Sequence, residues 1–164
     1  MPVLVSDTSV LIDLDRGTLL DDLFRLPDEF AVPDLLFKRE LSGELGARLL
    51  GLGLRVEGLT PAEVRRAATV RRQRADLSVP DTFAYVLAET RRWTLLTGDG
   101  GLRRLATDNG LVMHGVLWLI DRFDADAVVP RDRLHAGLTA IAAHPRCRLP
   151  AAELQTRLTL FAGG

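Results

Sequence analysis

Cysteine, lysine and long apolar runs are all scarce in this chain of 164 residues. The single cysteine, Cys147, excludes an internal disulfide and a zinc site built from several thiolates. No apolar run approaches the roughly 18 to 20 residues that a membrane span requires, and the start of the chain lacks the positive region of a signal peptide. We therefore expect a soluble, cytoplasmic protein that does not enter a membrane.

An excess of charge of one sign is also missing, because 21 basic and 22 acidic residues leave a net charge of -1. This balance excludes a globally basic nucleic-acid binder. Lys38 is the only lysine, so the other basic residues are arginines, whose planar guanidinium suits phosphate. One group of arginines lies in a single predicted helix, and its pattern favours a solvated helix face over an RNA contact. That group comprises Arg65, Arg66, Arg71, Arg72 and Arg74.

What the sequence does contain is a regular alternation of short apolar runs and amphipathic stretches. The apolar runs predict strands at residues 3–6, 30–32, 54–59, 93–97 and 111–114. The amphipathic stretches predict helices at residues 9–15, 19–26, 33–43, 61–74, 79–91, 102–109 and 116–123. Alternation of strands and helices is typical of a parallel sheet covered by helices, so we predict an α/β sandwich.

The pattern changes after residue 123, where the strands stop. Residues 124–164 contain two predicted helices, at 131–143 and 151–161, separated by a turn at His144 and Pro145. We predict one α/β domain over residues 1–123. The remaining residues, 124–164, are interpreted as a C-terminal helical extension that packs on this domain or on a partner.

Three acidic residues are placed by the predicted topology at one edge of the sheet. Asp7 and Asp99 directly follow the strands at 3–6 and 93–97. Asp81 lies in the first turn of the helix that leads into the second of these strands, and such a helix begins at the edge where the strands end. Because ligands of open parallel sheets bind outside the carboxyl ends of the strands, we expect these three side chains to share a site.

A fourth acid, Glu40, is assigned to the same site by helical spacing. It follows Leu36 by four residues and Phe37 by three, which predicts that it lies on the apolar face of the helix at 33–43. A carboxylate on a buried face is costly unless it has a partner, and a shared cation would also relieve the repulsion between four acids.

The predicted ligands favour a hard cation. Carboxylate oxygens without histidine or cysteine at matching spacing favour Mg²⁺ or Mn²⁺ over zinc. Such an ion can align a phosphodiester and activate water, so Asp7, Glu40, Asp81 and Asp99 are candidate metal ligands and catalytic residues of a nuclease. Ser9 and Thr97 are predicted to orient Asp7 and Asp99 by hydrogen bonds. Arg103 and Arg104 follow Asp99 closely and are candidate contacts for RNA phosphates.

The four acids stand in four short motifs: VLVSDTSVLI, VPDLLFKREL, LSVPDTFAYVLA and LLTGD. This succession resembles the PIN domain, and in particular the toxin-like PIN ribonucleases of bacterial and archaeal toxin-antitoxin pairs, over residues 1–123. The resemblance implies a three-layer α/β/α sandwich and cleavage of RNA that depends on Mg²⁺ or Mn²⁺. It also implies a homodimer and inhibition by a small antitoxin protein.

Other interpretations of the same residues remain open. Asp7 and Asp99 could serve only as helix caps, and Asp81 could complete a capping box with Ser78. A haloacid-dehalogenase-like phosphatase would use Asp7 as a nucleophile, but it needs an acid two residues later, where this chain has Ser9. A catalytically silent PIN-like module that binds RNA or protein is the remaining alternative.

Overall fold

The computed structural model describes residues 2–163, and in this part of the chain five strands form one sheet. The strands are β1 (Val3–Ser6), β2 (Glu29–Pro33), β3 (Arg55–Glu57), β4 (Thr94–Leu96) and β5 (Met113–His114). Their order across the sheet is β3-β2-β1-β4-β5, and every neighbouring pair is parallel. Each strand therefore ends at the same edge, which we call the carboxyl edge.

Ten helices are present within the described residues, and they connect and cover the strands. They are α1 (Thr8–Arg16), α2 (Leu20–Leu23), α3 (Asp34–Glu40), α4 (Glu44–Leu52), α5 (Pro61–Gln73), α6 (Val79–Arg91), α7 (Gly100–Asp108), α8 (Val116–Ala125), α9 (Arg131–Ala143) and α10 (Ala151–Ala162). Helix α6 packs on β1, β2 and β4 together with α3 and α5, whereas α1 packs with α2, α8 and α9. This confirms the predicted three-layer α/β/α fold. Within residues 2–163, every helix is too short or too polar to cross a membrane.

The centre of the core is formed by β1 and α6. All four residues of β1 are buried, as expected for the central strand of a parallel sheet with helices on both faces. Tyr85 of α6 is fully buried, and its hydroxyl donates a hydrogen bond to Glu89 at 2.6 Å. The Glu89 carboxylate also accepts a hydrogen bond from Arg66 of α5 at 2.8 Å. These contacts fix α6, whose first turn carries Asp81, against the sheet and against α5.

The structure differs from the sequence prediction between residues 40 and 54. The predicted helix at 33–43 ends earlier, at Glu40, and α4 (Glu44–Leu52) was not predicted. Glycines explain both differences. Gly46 and Gly51 lower the helix propensity of residues 44–52, and Gly43 lets the chain turn before α4 begins. Gly43, which precedes α4, has a positive φ of 99°, and Gly46 lies so close to the Leu41 carbonyl oxygen that a Cβ would stand 1.9 Å from it. The chain therefore turns sharply after α3.

The two C-terminal helices pack on the rest of the domain. Helix α9 contacts α1 and α8, and α10 packs on α9. At the first of these contacts a Cβ added to Gly137 would lie 2.7 Å from the Gly17 carbonyl oxygen, so the two backbones touch. Arg157 of α10 forms hydrogen bonds at 2.8 Å with both carboxylate oxygens of Asp121 on α8. The division into two regions at residue 123 stays a prediction, and that boundary falls inside α8.

The close approach of α9 to the end of α1 predicts opposite effects for two glycine substitutions. Gly137→Ala places a methyl group against a backbone oxygen that cannot rotate away, so we expect overpacking to lower the free energy of unfolding by about 1 to 3 kcal/mol. Gly51→Ala in α4 is the matched control, because nothing lies within 4 Å of its added Cβ and alanine favours helix. Urea denaturation measures both changes. Equal stabilisation by the two substitutions would contradict the contact.

Candidate active site at the carboxyl edge

One cleft of about 580 Å³ at the carboxyl edge is lined by all four predicted acids. Asp7 immediately follows β1, Asp99 follows β4, Asp81 lies in the first turn of α6 and Glu40 is the last residue of α3. Four separate elements thus bring these carboxylates to one place. The predicted meeting of Asp7, Asp81 and Asp99 follows from the parallel topology, because β1 and β4 are neighbours and α6 begins at the edge where they end.

Asp7 is the most buried of the four acids, with 2% of its surface exposed. Its Oδ1 accepts hydrogen bonds from the Ser9 hydroxyl at 2.8 Å and the Val10 amide at 3.1 Å, and its Oδ2 accepts one from the Thr97 hydroxyl at 2.5 Å. Burial raises the pKa of Asp7 above its usual value, and these hydrogen bonds act in the opposite direction. The carboxylate is therefore held in one orientation with both oxygens supported.

Thr97 links Asp7 to the second acid, Asp99. Its hydroxyl oxygen accepts a hydrogen bond from the Asp99 amide at 3.0 Å while its proton is donated to Asp7. Asp99 is half-buried, and its Oδ2 caps α7 by accepting from the Leu102 amide at 2.9 Å. The two hydroxyls that were predicted to orient the acids, those of Ser9 and Thr97, thus both donate to the Asp7 carboxylate. Asp99 is positioned differently, because its backbone amide donates to the Thr97 hydroxyl.

The sequence prediction for Glu40 was wrong in one respect, because its side chain is exposed rather than buried. The reason is that α3 ends at Glu40, and Leu41, which is 1% exposed, turns into the core instead. Glu40 nevertheless lines the cleft, and its carboxylate accepts a hydrogen bond from the Thr8 hydroxyl at the start of α1.

Asp81 shows that the four carboxylates interact electrostatically. Burial, followed by the negative charges of Asp7, Asp99 and Glu40, raises its pKa to about 6, against a lowering effect of the Ser78 side chain. The Ser78 hydroxyl also accepts a hydrogen bond from the Asp81 amide at 3.2 Å and so caps α6. Protonation of one member is the expected response of several acids that share a site without a cation.

The chemistry of these side chains fits a divalent cation. Four carboxylates supply only hard oxygen ligands, and a bound cation would relieve the repulsion that raises the pKa of Asp81. As they stand in residues 2–163, however, no three His, Cys, Asp or Glu side chains are spaced for holding a metal ion. The acids line the cleft without converging on one point.

The cleft also contains three arginines that sequence reasoning missed, namely Arg16, Arg146 and Arg148. Arg16 could have been found, because α1 lines the cleft with residues at helical spacing: Ser9, Ile12, Asp13 and Arg16. Arg146 and Arg148 lie in the loop between α9 and α10 and carry no local signal for this position. Arg103 and Arg104, which were predicted to contact phosphate, lie outside the cleft lining, and Arg103 instead donates to the Thr97 carbonyl at 3.4 Å.

The fold and the site together define a parallel α/β/α protein with an acid-lined cleft at its carboxyl edge. A family model described as PIN domain matches residues 3–162. The chain therefore belongs to the PIN domain family, whose members are generally nucleases that use divalent metal ions. The match extends from β1 to the end of α10 and so includes the C-terminal helices. No curated protein matches the sequence.

The raised pKa of Asp81 predicts how the stability of the metal-free protein depends on pH. The folded state favours the protonated form of Asp81. Its contribution to stability is therefore fully present below pH 3.8, the usual pKa of the group, and is lost as the pH rises through the folded-state pKa of about 6. Thermal denaturation in a chelator should show this loss for the native chain and a weaker one for Asp81→Asn. Added Mg²⁺ should restore stability to the native chain at neutral pH. Identical pH profiles of the two chains would contradict the raised pKa of Asp81.

Proposed function

We propose that this protein is a metal-dependent endoribonuclease that hydrolyses RNA phosphodiester bonds at the acid-lined cleft. The observation that carries the proposal is that four carboxylates line one cleft at the carboxyl edge. They come from four different places in the fold: the end of β1, the end of α3, the first turn of α6 and the loop after β4. Helix capping would be a sufficient reason for the presence of Asp7 and Asp99, because they cap α1 and α7. It does not explain why Glu40 and Asp81 face the same cleft.

Asp7, Glu40, Asp81 and Asp99 are the residues that would hold Mg²⁺ or Mn²⁺. A bound ion would supply Lewis-acid chemistry, which stabilises negative charge on a phosphoryl oxygen and makes water a better nucleophile at neutral pH. Asp7 is the fixed point of the site, because three hydrogen bonds hold its two oxygens in place before any substrate binds. Half-buried Asp99 and Asp81 and exposed Glu40 are more accessible than Asp7 from the cleft.

The same residues support the finer proposal of a toxin. The four motifs that carry the acids resemble those of toxin-like PIN ribonucleases, which act as partners of a small inhibitory antitoxin and frequently form homodimers. We therefore propose RNA as the substrate, an antitoxin protein as the partner and a homodimer as the assembly. A catalytically silent module that binds RNA or protein is the competing function.

Substitution of the acids should separate the nuclease from the silent module. In a cleavage assay on single-stranded RNA with Mn²⁺, Asp7→Asn and Asp99→Asn should each lower the rate by about 100-fold or more, since each removes a preorganised charge. Thr97→Val should lower it by about tenfold through misorientation of Asp7. Asp108→Asn, an exposed acid of α7 outside the cleft, should leave the rate unchanged. Native and variant chains that bind RNA equally well and are all inert would support the silent module instead.

Growth measurements test the toxin assignment independently of the chemistry. Induced expression of the native chain in a bacterial host should arrest growth, and expression of Asp7→Asn at the same protein level should not, because the arrest requires RNA cleavage. If the purified protein cleaves RNA but its expression leaves growth unaffected, the nuclease assignment stands and the toxin assignment is wrong.

A further inference from the structure

The loop between α9 and α10, residues 144–150, forms part of the acid-lined cleft. Pro145, Arg146, Arg148 and Leu149 line the cleft together with Asp7, Glu40, Asp81 and Asp99. The C-terminal helices therefore do more than cover the core. They bring two arginines to the cleft that the four carboxylates line.

The loop is anchored so that its arginines face solvent. The His144 Nδ1 accepts a hydrogen bond from the Arg146 amide at 3.1 Å, and the His144 carbonyl accepts one from the Cys147 amide at 3.0 Å. Cys147 and Leu149 are half-buried and pack on the core, whereas Arg146 and Arg148 are exposed. Half-buried and exposed side chains thus alternate from Arg146 to Leu149, and both arginines are presented on the open side of the loop.

The charges of these arginines are available to a ligand. Within residues 2–163 neither Arg146 nor Arg148 forms an ion pair, whereas Arg16, the third arginine of the cleft, pairs with Asp13 at 3.5 Å. A cleft lined only by carboxylates would repel an RNA backbone, and guanidinium groups offset that repulsion and bind phosphate through paired N–H donors. An acidic peptide would make the same contacts with the arginines and would be repelled by the same four carboxylates. RNA is favoured over such a peptide because it is the substrate of the proposed nuclease.

We propose that the loop of residues 144–150 is an RNA-backbone clamp, in which Arg146 and Arg148 bind phosphates next to the one that is cleaved. This inference rests on the proposed function for its substrate. The arginines would position the RNA across the four acids without touching the reacting atoms, so they are positioning residues. Loss of the clamp should weaken RNA binding and leave the chemical step nearly intact.

The test compares the native chain with Arg146→Ala/Arg148→Ala and with a control, Arg65→Ala/Arg72→Ala, which removes two exposed arginines of α5 outside the cleft. Cleavage of an end-labelled single-stranded RNA of mixed sequence with Mn²⁺ gives kcat and KM. Fluorescence anisotropy of the same RNA in a chelator, over a series of salt concentrations, gives affinity without turnover. Thermal denaturation checks that each variant is folded.

For the loop variant we expect KM to rise roughly tenfold or more with kcat nearly unchanged, since each arginine makes a charged hydrogen bond to RNA. The slope of log affinity against log salt should fall by about 1.4, the value for loss of two phosphate contacts to a single strand. The control should match the native chain. Arg146→Lys/Arg148→Lys keeps both charges, so it should retain the salt slope and recover part of the KM.

The possible outcomes separate this inference from the proposed function. If the native chain cleaves RNA and the loop variant keeps the native KM and salt slope, the clamp is wrong and the nuclease stands. If the native chain is inert, the nuclease is wrong, and the binding data alone decide whether the loop contacts RNA. If polyglutamate displaces RNA from the native chain and binds through Arg146 and Arg148 in preference to it, the loop is a docking site for an acidic protein and the clamp is wrong.

Discussion

The structure depends on the burial of one carboxylate, Asp7, at the point where β1 and β4 end side by side. The Asp7 amide donates to the Leu96 carbonyl at 2.9 Å, and the Thr97 hydroxyl returns a hydrogen bond to its Oδ2. A buried carboxylate without donors would cost several kcal/mol, so the two strands and the first turn of α1 must keep their relative positions. This requirement aligns the ends of the central strands and fixes the floor of the cleft.

Around this fixed point the other charged groups of the cleft are progressively more exposed. Asp81 and Asp99 are half-buried, while Glu40, Arg146 and Arg148 are exposed. The cleft therefore combines one buried carboxylate that is held by three hydrogen bonds with several charged groups that are open to solvent. The C-terminal helices belong to this arrangement, because the contact between Gly17 and Gly137 docks α9 beside α1 and so brings the following loop to the cleft.

Much of the fold was predictable from local patterns in the sequence. Short runs rich in apolar residues predicted the five strands, and capping residues such as Thr60 and Ser78 located the starts of α5 and α6 closely, because both patterns act over a few residues. Helix α4 was missed because its glycines weaken the helical signal, and only packing against Leu41 reveals why Gly46 is required. The burial of Glu40 was predicted wrongly because helical spacing says nothing about where a helix ends.

The placement of Asp7, Asp81 and Asp99 at one edge follows from the sequence alone, because in a parallel α/β sheet the strand ends and the starts of the returning helices share an edge. The sequence did not determine that Asp7 would be the rigid member held by both Ser9 and Thr97, or that Arg146 and Arg148 would share the cleft. The place of Arg146 and Arg148 depends on how α9 docks against α1, and the hold on Asp7 depends on Thr97, which is brought beside it by the pairing of β1 with β4. Residues far apart in the chain come together only through tertiary packing. Local hydrogen bonds and the spacing of apolar residues do not indicate that packing.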